Sequence, residues 1–257
     1  MRSLFIRSFS RLFPENPLRN PLKASATNRA QYRREMPREA CGTWFVTGLA
    51  LFAMLSVGLI TTSATAQDPV RIVAFGDSLT AGYGLLAGDA YPVKLEAALR
   101  ARGYNVSIAN AGVSGDTTAA GLARVDYSVP PGTQAVILEL GANDMFQGVP
   151  PAAIRHNLEA IIQKLRARHI EVMLAGMYAT RNLGKQYYTA FDSIYRDLAQ
   201  KYGLVFMPFF LDGVVGKQAL NQADGIHPTA AGIELVVKKS LPAVESLIHR
   251  VRGRKSS

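Results

Sequence analysis

The chain has almost no sulfur chemistry. Of its 257 residues only Cys41 is a cysteine, so no disulfide can form within it. Cys41 also stands ahead of an apolar run, where a lipoprotein cysteine would follow one. Sustained charge is missing too. The formal net charge of +10 is concentrated early: residues 1–40 hold nine Lys/Arg against three Asp/Glu, and residues 41–66 hold none. From residue 67 onward 20 basic face 16 acidic side chains. Arg250, Arg252, Arg254 and Lys255 fall in the last eight residues, which read as a frayed basic tail over 250–257. The body is therefore near neutral, which excludes a basic groove for phosphates and nucleic acid as a partner. The phosphate loop G-x-x-x-x-G-K-[ST], a G-x-G-x-x-G after the first strand and the G-x-S-x-G elbow are all absent. So is any His/Cys/carboxylate cluster at metal-ligand spacing.

What is present begins with an uncharged apolar run over 44–62, followed by Ala64-Thr65-Ala66. This small-x-small pattern suits signal peptidase, with a cut after Ala66. The alternative is an uncleaved membrane anchor, since the run is just long enough to span, although it contains helix-weakening Gly and Ser. The basic stretch ahead of Met36 exceeds what an n-region needs, and a start at Met36 would leave a signal of ordinary length. Arg33-Arg34 hints at a twin-arginine route but continues poorly as Glu35-Met36-Pro37. The expectation is a periplasmic or secreted protein whose signal segment meets the export machinery, with one domain over 67–249.

In that domain short Val-, Ile- and Leu-rich runs alternate with amphipathic stretches. Residues 71–75, 105–109, 135–140 and 171–175 are predicted as mostly buried strands, with 204–207 a fifth. Residues 91–102 are predicted as a helix with Val93, Ala97 and Leu95 or Leu99 inward, stopped by Gly103. Ile154, Leu158, Ile161 and Leu165 share one helix face after the Pro150-Pro151 start. Phe191, Ile194 and Leu198 mark another helix ending at Gly203, and a last one begins at 229–240, to be kinked or broken by Pro242. Such alternation implies an α/β fold with a parallel sheet covered on both faces. Its working groups are expected on loops beyond the carboxyl ends of the strands.

The first such loop reads Phe75-Gly76-Asp77-Ser78-Leu79-Thr80-Ala81-Gly82. It places a serine among glycines that let another molecule approach the backbone, although a lone serine there serves equally as an N-cap. Far along the chain lies Asp224-Gly225-Ile226-His227-Pro228. A serine hydroxyl needs a neutral imidazole to take its proton, and the imidazole needs a carboxylate to hold its tautomer. A plain loop leading into a helix would look the same, so this pair alone leaves both readings open. His156, His169 and His249 fall on polar helix faces or ends. Two middle segments tip the balance: Asn110–Thr118, containing Gly112, follows the second strand, and Gly141-Ala142-Asn143-Asp144 follows the third. A glycine N–H and an asparagine amide are suitable donors to the oxyanion of acyl transfer.

Together these four segments resemble the SGNH (GDSL) hydrolase family, named for its Ser, Gly, Asn and His. The matching residues are Gly76-Asp77-Ser78-Leu79, Gly112, Asn143 and Asp224-x-x-His227-Pro228. The wording is most similar to the bacterial periplasmic branch with acyl-CoA thioesterase I, lysophospholipase and arylesterase activities. The resemblance implies a three-layer α/β/α fold with a five-stranded parallel sheet in flavodoxin-like order. It implies a catalytic Ser78, Asp224 and His227, with an oxyanion hole from the N–H groups of Ser78 and Gly112 and the amide of Asn143. It implies activity on short-to-medium acyl esters, thioesters or lysophospholipids; such acyl transfer requires no cofactor and no metal, and a monomer is expected. Met145 and Phe146, where some relatives carry a smaller pair, would border the acyl site with Tyr178. The rival readings are a carbohydrate O-acetylesterase or acetyltransferase of the envelope, with Tyr83, Tyr178 and Tyr187 stacking on sugars, and a binding protein that has lost the reaction.

Overall fold

The β-branched runs become strands, and their connections become helices. In the computed structural model, which describes residues 68–254, β1 (Val70–Gly76), β2 (Val106–Gly112), β3 (Ala135–Glu139), β4 (Glu171–Ala175) and β5 (Val205–Met207) form one sheet. Its order is β2-β1-β3-β4-β5, and every neighbouring pair is parallel. From β1 the chain goes to β2 on one side and then returns to β3 on the other. The carboxyl ends of β1 and β3 therefore flank the crevice that such a switch in strand order opens. β1 and β3 are buried along almost their whole length, as strands covered on both faces must be. β2 was expected to be mostly buried, but it is an edge strand in which only Val106 and Ile108 are buried.

The helices are α1 (Ser78–Ala81), α2 (Tyr91–Ala101), α3 (Thr118–Ser128), α4 (Ala142–Phe146), α5 (Pro151–Ala167), α6 (Lys185–Tyr202) and α7 (Ala230–Arg254). α2 packs with α7 on one face of the sheet, and α5 packs with α3 and α6 on the other, giving three layers. In α5 the expected stripe of Ile154, Leu158, Ile161 and Leu165 is buried, joined by Ile162. α6 ends at Gly203 in the left-handed region, φ 61°, a conformation that favours glycine.

Three further expectations are corrected. α2 buries Tyr91, Leu95 and Leu99, while Val93 and Ala97 face outward. Both stripes have helical spacing, and the one with the larger side chains removes more apolar area from water. Pro242 does not end α7, and residues 250–254 are not frayed: the helix continues to Arg254. Proline removes one backbone bond, at about 3 kcal/mol, but Val236, Val237 and Leu241 before it and Val244, Leu247, Ile248 and Val251 beyond it are buried. Burying each such side chain contributes about 1.5–3 kcal/mol, which outweighs the loss. Arg250 donates to the Gly203 carbonyl at 2.6 Å and Arg254 pairs with Glu171 at 2.8 Å, so the basic end is docked on the body.

The apolar run, the Ala66 site, Met36 and Cys41 lie outside the described residues. Among the described residues no helix is long and apolar enough to cross a membrane.

Candidate active site

Ser78 opens α1 directly after β1. Its neighbour Asp77 caps that helix by accepting the Leu79 N–H at 3.0 Å, so the N-cap role belongs to Asp77. The serine hydroxyl is left to face the crevice, where His227 Nε2 lies 2.9 Å from Ser78 Oγ. On the other side of the ring His227 Nδ1 lies 2.7 Å from Asp224 Oδ2. The second Asp224 oxygen accepts the backbone N–H groups of Ile226 at 2.8 Å and His227 at 3.0 Å. The imidazole bond comes first and these backbone donors second in pulling the Asp224 carboxyl down to about 2. A carboxylate accepts only, so Nδ1 carries the ring proton and Nε2 offers its lone pair to the serine.

The turn that carries this pair is closed on itself. Gln222 N–H donates to the His227 carbonyl at 2.7 Å, and Asn221 bridges to Pro228. The Gln222 side-chain amide donates to the Tyr83 carbonyl at 2.7 Å and to the Pro228 carbonyl at 3.0 Å, tying the histidine turn to the segment after α1. The Tyr83 ring itself leans on the His227 ring, with centroids 4.6 Å apart.

Gly112 ends β2, paired with Gly76 in the parallel register. Any Cβ there would lie 2.3 Å from the Ala81 nitrogen, so only glycine lets α1 sit this close to β2. Its N–H is donated to Asn110 Oδ1 at 2.9 Å. Asn143 sits in the first turn of α4, not on an extended loop, and its amide donates to the Asp116 carbonyl at 2.9 Å and to Asp77 Oδ2 at 3.2 Å. Gly141, which starts that helix at φ 119°, leaves room for the Tyr195 hydroxyl, 2.1 Å from where a Cβ would stand.

A cavity of about 530 Å³ opens beside Ser78, Asn143 and His227. Its walls include Met145, Phe146, Tyr178 and Phe209, with Val215 and Ile226 near the histidine turn. Met145 is buried and its sulfur accepts the Thr180 N–H at 3.2 Å, whereas Phe146 and Tyr178 are exposed. Gly112 is not part of that lining. Nor is Tyr187, whose hydroxyl donates to the Val149 carbonyl at 2.8 Å.

Sequence reasoning passed over a buried polar layer beneath the site. Asp77, Glu139, Thr80, Asp144, Thr118 and Arg124 are all at most 5% exposed. Asp144 takes the Thr118 N–H at 2.7 Å and its hydroxyl at 2.6 Å, binding α4 to the start of α3. Arg124 pairs with Asp116 and donates to the Gly76 carbonyl at 2.9 Å. Burial, only partly offset by the Leu79 N–H, raises the Asp77 carboxyl to about 6. Asp77 and Asp144 lie in the segments that bear Ser78 and Asn143, whereas Glu139, inside an apolar strand, carries no periodic signal.

A flavodoxin-like sheet with an imidazole-linked serine at its open edge defines the class, an SGNH hydrolase. Residues 74–235 match the GDSL-like lipase/acylhydrolase family, and the chain belongs to it. It is 36% identical over 201 residues to Esterase TesA of Pseudomonas aeruginosa, covering 78% of this chain and 98% of that protein. It is 36% identical over 171 residues to thioesterase 1/protease 1/lysophospholipase L1 of Escherichia coli, covering 66% of this chain and 80% of that protein. The crystal structure of AlinE4, an SGNH-hydrolase family esterase, superposes with a TM-score of 0.60 at 48% identity, covering 70% of this chain and 96% of that one.

Proposed function

We propose that this protein is a serine esterase and thioesterase that cleaves short-to-medium acyl esters, thioesters or lysophospholipids through an acyl-enzyme. The observation that carries the reading is the unbroken series Ser78 Oγ, His227, Asp224, with links of 2.9 and 2.7 Å. His227 takes the serine proton as the hydroxyl attacks the carbonyl carbon, and Asp224 steadies the imidazolium that results. The tetrahedral oxyanion is met by the Ser78 and Gly112 N–H groups and the Asn143 amide. For the latter two this means exchanging their present partners, Asn110 and Asp116 or Asp77, for the substrate oxygen. His227 then protonates the departing alcohol or thiol, and water repeats the attack on the acyl-serine. All these groups come from one chain, so a monomer suffices.

Met145, Phe146 and Tyr178 are assigned to the acyl chain, supported by the apolar cavity they line beside Ser78. That lining disfavours the carbohydrate esterase reading, as does the separate position of Tyr187. Export, with release after Ala66, is inferred from the apolar run and the small-residue site; a purified periplasmic form should begin at Gln67.

The deciding experiment is Ser78→Ala. Turnover of p-nitrophenyl esters and of an acyl thioester should fall to background, and labelling by a fluorophosphonate probe should vanish. Full activity or continued labelling in this variant would remove the nucleophile assignment.

A further inference from the structure

The mechanism above uses no residue of β3, yet the last residue of that strand is a carboxyl with no exposed surface. Glu139 Oε2 accepts the Thr80 hydroxyl at 2.7 Å and the Asp77 N–H at 3.3 Å, while Oε1 is buried without any donor. That bond to the Asp77 backbone brings the two carboxyl groups close enough for each to act on the other. Asp77 is equally buried, but its two oxygens receive the Leu79 N–H and the Asn143 amide. Two neighbouring carboxyls in a low-dielectric interior do not both ionise. Asp77, with a donor on each oxygen, is the one equipped to hold the charge, whereas both donors to Glu139 fall on Oε2. Glu139 is satisfied if Oε1 carries a proton and gives it to Asp77 in a hydrogen bond.

We infer that Glu139 is a positioning residue for this active site: as a neutral acid it donates a hydrogen bond to Asp77, and so fixes the carboxylate that orients both the Ser78 turn and the Asn143 amide. The first glycine of the serine motif fits this role. A Cβ on Gly76 would stand 2.5 Å from Glu139 Oε2 and 2.2 Å from Thr80 Oγ1, so glycine leaves the space through which Glu139 reaches the turn. The other titratable groups facing the pair are Asp116 with Arg124, the phenols of Tyr91 and Tyr195, and His227. The buried cation among them, Arg124, is taken by Asp116 and the Gly76 carbonyl, leaving the carboxyl pair to share its own proton. Burial first, and the Asp77 charge second, push the Glu139 carboxyl well above the usual carboxylate range.

This inference rests on the assignment of Ser78 and Asn143 proposed above, and it is tested with two substitutions. Glutamine reproduces a protonated glutamate, its oxygen accepting from Thr80 and its amide donating to Asp77. Glu139→Gln should therefore keep kcat within about twofold of the parent. Glu139→Met has similar length but no donor; with the Asn143 amide and Ser78 turn loosened, kcat should fall about tenfold or more while KM stays put. At neutral pH the infrared spectrum of the parent protein should contain the carbonyl band of a buried, protonated carboxylic acid, lost in Glu139→Gln. A Gln variant as impaired as the Met variant, or a parent spectrum without that band, overturns the inference. If the Met variant does not fold, the Gln variant and the band decide by themselves. Fluorophosphonate labelling keeps the two readings apart: an unlabelled parent defeats the Ser78 assignment, whereas a labelled parent with an inactive Gln variant defeats only the role of Glu139.

Discussion

A serine hydroxyl is a poor nucleophile until a neighbour takes its proton, and for Ser78, the proposed nucleophile, the imidazole within reach lies 149 positions away in the chain. His227 is held in the required tautomer by Asp224, and Asp224 in turn by the backbone of its own turn. Both members of that pair were legible in the sequence because the contacts between them are local. Asn143 was legible as an oxyanion donor, but the partners its amide holds in the structure were not, since Asp77 and the Asp116 carbonyl come from other segments. Asn143→Ala should lower kcat about a hundredfold or more, about 3 kcal/mol in the transition state, with KM little changed. Steady-state kinetics on one ester checks this; a change confined to KM would assign Asn143 to ground-state binding instead.

At the scale of elements, hydrophobic pattern located all five strands and the long helices, because most of them bury a continuous stripe. It missed α1, α3 and α4. α1 and α4 are only four and five residues long, and such short helices are held by caps and tertiary contacts more than by propensity. α3 is 11 residues, and its buried residues include Gly121 and Arg124, which no apolar template recognises. The pattern also misjudged α7, where tertiary burial on both sides of Pro242 overrode a local breaker. The α5 stripe offers a clean test of the packing argument. Leu158 is fully buried and lines no part of the Ser78 cavity, so Leu158→Ala should cost about 3 kcal/mol of unfolding free energy. Urea denaturation should show the lower midpoint, while kcat well below the melting temperature is retained.

The whole molecule carries its polar site on a buried, partly uncompensated layer, and this gives its stability a pH signature. A carboxyl raised in the folded state, like Asp77 at about 6, contributes stability below its unfolded value, and that contribution is lost as pH rises through about 6. Relative to an ordinary aspartate the loss is on the order of 3 kcal/mol. Asp224 has the opposite sign: held near 2, it contributes above the unfolded value and loses that contribution only as pH falls towards about 2. The thermal midpoint should therefore drop between pH 5 and pH 7, and Asp77→Asn should lessen that drop, the remainder coming from Glu139, whose carboxyl is also raised. A parent midpoint that is constant or rises over this interval would contradict the buried-carboxyl account.

The amino-acid sequence by itself determined the α/β class, the parallel strands and the four segments that bear Ser78, Gly112, Asn143 and the Asp224–His227 turn, because each follows from local spacing and residue chemistry. Only the tertiary structure decided which face of α2 is inward, how far α7 runs, and that Glu139 and Asp77 share one buried pocket under the serine. Those outcomes depend on competition between burial energies and on charges brought together from distant strands, and no window along the chain contains both partners.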